Sequence, residues 1–334
     1  MDFKECMLAE AYLEVKGLGD RLPLIKQQIN WERFRSIVAP VFKDNKITGG
    51  RPHTDELVIV RCMVLQQLYG LSDPELEFQL SDRLSFRNFV GFEAGVPDFT
   101  TIWKIRERLK NAKKEEEIWD EFQRQLNERD LKVTKGVIQD ATFIAADQGR
   151  KRKAEEKKLE KAGQKPVYTS KQLAHMDLDG TYAVKHGQVY YGYKTHIKID
   201  VGYQLIREFE VTTASLHDSQ VDLIHCTDGV AYRDKGYFGV KVPEGVDDKT
   251  MKRGTRARKL NGGEQRRNLS ISRVRSPGER PFAVMGRTFN GASTLVKRLE
   301  RVKIKEMFRC FAFNLYQLVT LVRRELKATR AVAM

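Results

Sequence analysis

The hydrophobic repeat of this chain changes period near residue 131, and that change constrains the fold more than any single motif. Before it, apolar residues recur at helical spacing. In "TDELVIVRCMVLQQLYG" they fall at 57/58, 62, 64/65 and 68/69, a stripe that Thr54 can cap and Gly70 can end. In "LSDPELEFQL", Ser72 and Glu75 spell a capping box with Pro74 in the first turn. In "TTIWKIRERLKN", Ile102, Ile105 and Leu109 share one face, leaving Lys104, Glu107, Arg108 and Asn111 outward. Short helices, tight turns and a basic outer face fit a helix-turn-helix-like DNA-binding unit. An ordinary helical bundle with a solvated face fits them equally well.

After residue 131 the pattern is that of strands. "KGVIQDATFIAAD" (135–147) is a β-rich run, and residues 189–200 and 204–213 read as a hairpin joined by "VGY". Residues 217–226 are expected to be helical, 229–239 a strand and turn, and 279–305 and 307–326 two long helices. Strands paired first as hairpins and then alternating with helices imply a mixed sheet covered by helices. The organisation is a helical domain over 1–130 and an α/β domain over 131–334, the second carrying basic insertions at 148–188 and 249–275.

Charge narrows the partner. Lys and Arg exceed Asp and Glu by 60 to 45, a formal +15 that favours a polyanion, nucleic acid foremost, over a neutral small molecule. Residues 249–275 hold ten Lys or Arg against one acid, so Lys252, Arg253, Arg256 and Arg258 are expected to meet phosphates. Residues 148–165 alternate in sign and read as a solvated helix. Cys6, Cys62, Cys226 and Cys310 have no zinc spacing and fit buried thiols in a reduced compartment. "MDFKECMLAEAY" has no apolar run to serve as a signal peptide. "MFRCFAFNLYQLVTLV" (307–322) is too short and too polar to span a membrane and reads as a core helix. A soluble cytoplasmic protein without a membrane partner is expected.

Three acids stand where propensity disfavours them. Asp140 interrupts a strand, Asp234 lies where a strand opens into a loop, and Glu279 follows Ser276-Pro277-Gly278. Each has an ordinary alternative: a strand-end Asp satisfied by backbone, a turn former, and a helix cap. Together they are harder to dismiss, because carboxylates on neighbouring strands about 4.8 Å apart can bracket two divalent ions about 3.5–4 Å apart, the arrangement used for phosphoryl transfer. Mg²⁺ suits such oxygen donors, and no histidine or cysteine is needed. Pro281 would break a helix begun at Pro277, so Glu279 is expected just outside a helix starting near Pro281, with Arg280 extended.

"QDATFIAA", "VYYGYKTHIKID…REFEVTTASLHDSQ", "YRDKGYFG" and "SISRVRSPGERPFAVM" occur in an order and spacing that resembles the DDE transposases of bacterial insertion sequences, in the superfamily built around insertion sequences four and five. Asp140 matches the family's first catalytic Asp, Asp234 with Gly236 and Tyr237 the second motif, Glu279 the catalytic Glu, and Arg275 the Arg of its Arg-x-x-x-Glu signature. Two positions depart: Gly286 replaces the Lys seven residues after the Glu, with Arg287 next, and Ser272 replaces the Tyr three before the Arg. The resemblance implies a ribonuclease-H-like α/β catalytic domain plus an all-α N-terminal domain that helps to bind terminal inverted repeats. It implies two Mg²⁺ ions held by Asp140, Asp234 and Glu279, with Mn²⁺ as the expected substitute.

The activity implied is cleavage of double-stranded DNA at the element ends and joining of 3′-hydroxyls to target DNA, by a homodimer or larger oligomer at the bacterial nucleoid. A non-catalytic DNA-binding relative and a metal-dependent nuclease without strand transfer are the alternatives. Arg275, Arg287, Lys235, Tyr237, Lys194, His196, Lys104 and Arg108 join the basic segment as expected DNA contacts, Tyr237 as a platform for an unpaired base. Asp218 reads as a helix N-cap.

Overall fold

The computed structural model describes residues 3–42, 53–93, 95–150, 154–164, 166–185 and 187–332, without the side chains of residues 4, 154, 157, 174, 185 and 325–332. Lys151, Arg152 and Lys153 of the first basic segment lie outside the described residues. Up to residue 128 the chain forms helices and 3-10 turns, with no strand among the described residues: α1 (Phe3–Gly17), α2 (Leu22–Lys26), α3 (Arg35–Val38), α4 (Glu56–Tyr69), α5 (Asp73–Asp82), α6 (Leu84–Val90), α7 (Phe99–Asn111) and α8 (Lys114–Glu128). Asp55 rather than Thr54 caps α4, its carboxylate accepting the N–H of Leu57 and Val58. Gly70 ends α4 at φ 63°, and a Cβ there would stand 2.7 Å from the Phe289 carbonyl, so only glycine fits both the turn and the contact. Ser72 caps α5 through the Glu75 N–H, as the sequence predicts.

The second part follows as β1 (Val137–Ala146), α9 (Ala154–Lys161), α10 (Ser170–Ala174), β2 (Thr181–Lys185), β3 (Gln188–Asp200), β4 (Ile206–Thr213), β5 (Val230–Arg233), β6 (Asp247–Thr250), α11 (Gly262–Arg275), α12 (Glu279–Ala283), β7 (Ser293–Thr294) and α13 (Leu299–Val332). The sheet is mixed. Its path is β2-β3-β1-β5-β6, with β4 also on β3 and β7 also on β1. β3 pairs antiparallel with β1 and β4, whereas β5 and β7 run parallel to β1 and β6 parallel to β5.

Two helix expectations are corrected. Residues 217–226 make a 3-10 turn, Asp218–Gln220, then leave helical form until a second 3-10 turn opens at Cys226. The Val221 carbonyl is taken by the buried Gln139 side chain of β1 at 2.7 Å, which ties the segment to the sheet instead of to itself. Residues 279–305 are not one helix. Instead α11, a 3-10 turn at Ser276–Gly278, α12 and a π-turn at Val284–Thr288 form one helical run over 262–288, and β7 intervenes before α13. Helix α11 lies inside the basic segment, started by a reciprocal Asn261–Glu264 capping box.

Helix α13 contains the expected 307–322 core segment and is buried on more than one face. It packs on α2, α4, α7 and α8 and also on β4, so the helices before residue 130 and the sheet share one hydrophobic cluster. Phe311 stacks on Phe122 of α8 at 4.1 Å and meets Trp31 and Phe34. The polar residues that interrupt its apolar run each have a partner: Arg309 pairs with Glu306 and the Gly291 carbonyl, and Gln317 donates to the Tyr203 carbonyl. Asn314 bonds both backbone groups of Ile206 at 2.8 Å, at the start of β4. Among the described residues no helix is long and apolar enough to cross a membrane. Asn314→Ala would strand the buried Ile206 N–H, while Gln123 still donates to the carbonyl. A loss of about 2 kcal/mol is expected in urea unfolding.

Candidate active site

β1 and β5 run parallel with Gln139 opposite Arg233, so the next residue of each chain segment, Asp140 and Asp234, leaves the register side by side. β3 lines one edge of β1 from 137 to 145, and β5 and β7 share the other, pairing with 137–139 and 145–146. Asp140 therefore opens into a notch between β5 and β7. Its carboxylate accepts from Arg275 Nη2 at 2.7 Å and from the Ala141 N–H at 2.9 Å. Asp234 caps the turn Lys235–Tyr237, taking the Gly236 N–H on one oxygen at 2.8 Å. Its other oxygen has no hydrogen bond among the described residues.

The helical run 262–288 brings the third acid to the same strand. Arg275 touches Asp140, and Gly278 lies so close to Ile138 that a Cβ would stand 3.0 Å from its Cγ2. Glu279 follows Arg275 by four residues, hence on a similar face of the run. Its side chain is exposed, with no ion pair or hydrogen bond among the described residues. Glu279 is not outside the helix, nor is Arg280 extended: Glu279 is helical at φ −76°, ψ −19°. The 3-10 turn just before it gives the Glu279 N–H to Ser276 and Pro277 carbonyls, and the changed pitch carries the chain past Pro281 without a full break.

Several expected DNA contacts prove to be interior. Tyr237 is 1 % exposed, so its ring offers no platform to a base. Its hydroxyl is buried without a partner, and burial followed by the charges of Asp218, Asp140 and Asp234 pushes its pKa up. The charges of all three aspartates are thus felt at one phenol. His196 is 0 % exposed, bonded to Thr212, and Lys194 is buried with Nζ on the Leu216 carbonyl and on Asp218 at 2.9 Å. Lying opposite Phe143 and Ala141 in the register of β1 and β3, both stand on the sheet face away from Asp140. Asp218 caps no helix, as its turn is a single 3-10 turn. Its closeness to Tyr237 depends on the packing of the 218–220 turn against the 235–237 turn, which no local pattern signals.

The remaining cations lie on the surface. Lys235, Arg287, Arg253, Arg256 and Lys104 are exposed, while Lys252 and Arg258 both pair with Glu264. Arg108 is half-buried and directed to the Val41 carbonyl at 3.4 Å.

Asp140 and Asp234 are hard oxygen donors at neighbouring positions, and Mg²⁺ needs only one or two carboxylates beside water and substrate phosphate. The pair fits such an ion in kind. Among the described residues, however, no three His, Cys, Asp or Glu side chains are gathered closely enough to hold one.

Residues 132–315 match the family described as Transposase DDE domain. The chain belongs to the DDE transposases. Residues 10–108 of the transposase match a second family, Transposase domain (DUF772), and no solved structure matches the chain. The two matches adjoin near the change of period and leave only the segment 109–131 between them.

Burial, aided by the charge of Lys194 and opposed by that of Asp218, lowers the His196 pKa from 6.5 to about 4. Between those values the unfolded transposase binds the proton and the folded one refuses it, so stability is full above 6.5 and is lost as pH falls towards 4. Urea unfolding at pH 7 and pH 5 should show wild type losing about 2 kcal/mol through this residue. His196→Gln should lose correspondingly less.

Proposed function

We propose that this transposase binds the terminal inverted repeats of its element, cleaves a phosphodiester at each end and joins the 3′-hydroxyls to target DNA. The observation that carries the reading is the side-by-side departure of Asp140 and Asp234 from parallel strands, with Arg275 of the Glu279-bearing run already on Asp140. The strand order, with three antiparallel strands followed by two parallel ones, supports a ribonuclease-H-like core. The helices before residue 130 we assign to DNA binding, with exposed Lys104 on α7 as a phosphate contact.

Asp140 and Asp234 would hold Mg²⁺, with Glu279 as the third donor; when bound, the metal supplies an activated water or 3′-hydroxyl and stabilises the leaving oxygen. The protein's own groups do the rest. Arg275 neutralises Asp140 in the protein alone, and its planar guanidinium would suit two oxygens of a DNA phosphate. Arg287 is the substitute for the cation missing at Gly286. In a regular helix residue 287 would be one position out of phase, but the π-turn at 284–288 adds a residue to that turn and brings Arg287 back towards the Glu279 face.

Asp234→Asn and Glu279→Gln should each lower Mg²⁺-dependent cleavage of end-containing DNA by at least ~100-fold, about 2.7 kcal/mol, while leaving repeat binding and thermal stability close to wild type. Cleavage equal to wild type in both would remove the assignment. Chelation should stop cleavage and added Mg²⁺ or Mn²⁺ should restore it. A strand-transfer assay on precleaved ends distinguishes joining from plain nuclease action, and sizing of the end complex should give a dimer or larger, because two ends are handled together.

A further inference from the structure

Away from the carboxylates, a groove of about 850 Å³ runs between α7 and the turn that starts α13. Trp103 and Lys110 of α7 form one wall, and Lys297, Arg298, Glu300 and Arg301 the other. Lys110 and Arg301 both bond Glu107, which offsets much of their charge. Lys297 and Arg298 have no ion pair or side-chain hydrogen bond among the described residues. Of the two acids that line the groove, Asp179 is engaged by the Leu299 N–H at 2.9 Å, capping α13, and Glu300 is exposed. Trp103 is 47 % exposed and separates this groove from a smaller one of about 230 Å³ that Lys297 and Arg301 also line.

Arg298 is held in an unusual backbone. Its φ is +82°, whereas the other non-glycine residues at positive φ lie between 51° and 58°, close to the ordinary left-handed minimum. Asn, Asp or Ser would suit the residue before a helix, and Gly a strained φ; a long cation suits neither need. The conformation is imposed from inside. Buried Asp177 accepts the Arg298 N–H at 3.3 Å and is itself fixed by the Tyr193 hydroxyl at 2.7 and 2.8 Å to its two oxygens. Strain maintained by a buried network around an uncompensated cation marks a site whose side chain is positioned for use.

The turn that forms one wall of the groove is joined to the strand that carries Asp140. β7, which leads into this turn, pairs with Ala145 and Ala146, five residues along β1 from Asp140, or about 17 Å at strand spacing. One DNA strand covers that distance in about five phosphate steps.

We propose that this groove binds the sugar-phosphate backbone of duplex DNA flanking the cleaved bond, with Arg298 and Lys297 on phosphates and Trp103 against the sugar edge. The proposal rests on the transposase reading and adds a contact surface that the acidic residues do not require.

The test uses Arg298→Gly, which removes the guanidinium and also the backbone strain, so a binding loss cannot be ascribed to misfolding. Affinity for an end-containing duplex, followed by fluorescence anisotropy over a range of salt, is expected to fall about 3- to 10-fold. The slope of log affinity against log salt should drop by about one. The thermal midpoint should stay level or rise. Lys297→Ala should act in the same direction, and Arg298→Lys, which keeps the charge, should recover most of the binding. Wild-type affinity and salt slope in Arg298→Gly, with end cleavage intact, would overturn the groove and leave the transposase reading standing. Failure of the wild-type chain to bind or cut any end-containing duplex would overturn both.

Discussion

Helix α13 must bury more than one face, and the rest of the molecule is arranged to satisfy it. Phe308, Phe311, Leu315 and Leu318 cannot face water over such a length without a cost of about 1.5–3 kcal/mol each. A sheet covers only one side. The helices before residue 130 cover the rest, which is why they and β4 share one cluster. The polar residues of α13 then act as locators: Asn314 sets its height against β4, Gln317 ties it to Tyr203, and Arg309 to the turn at Gly291. Because β7 and the helical run 262–288 precede α13 directly, fixing that helix also fixes the side of the notch from which Glu279 and Arg275 approach β1.

Electrostatics at the notch follow from what has been buried around it. Lys194, His196 and Tyr237 are buried, and the half-buried Asp218 is paired with Lys194. The charges of three aspartates act on this one buried phenol, and cations offset them: Arg233 lies over the Tyr237 ring at 5.8 Å, Lys194 pairs with Asp218 and Arg275 with Asp140. The Asp140 carboxylate is thereby held by Arg275 on one oxygen and by the Ala141 N–H on the other. The surface cations of residues 253–258 play no part in this balance, since they stand in solvent or on Glu264.

Much of this was legible from residue order. The mixed sheet, the β3–β4 hairpin, the core segment of α13, and the start of α5 and end of α4 all follow from periodicity and capping residues, which act over a few residues and need no distant partner. Where that local logic failed, a distant group had intervened. Gln139 drew 217–226 out of a helix, and a 3-10 turn let the chain pass Pro281 in helical form. Interior and surface were misjudged for the same reason: strand alternation assigns Lys194 and His196 to one face but cannot say that both sheet faces there are covered.

By itself the sequence singled out Asp140, Asp234 and Glu279 and determined that the chain is a transposase in kind, because motif order and strand propensity are properties of the chain alone. Only the tertiary structure decided which of the nearby polar groups are buried, that Arg275 rests on Asp140, and that Arg298 is strained at the rim of a cationic groove. Those facts depend on strand register and on helix packing between residues more than a hundred positions apart, and no local rule carries information over that separation.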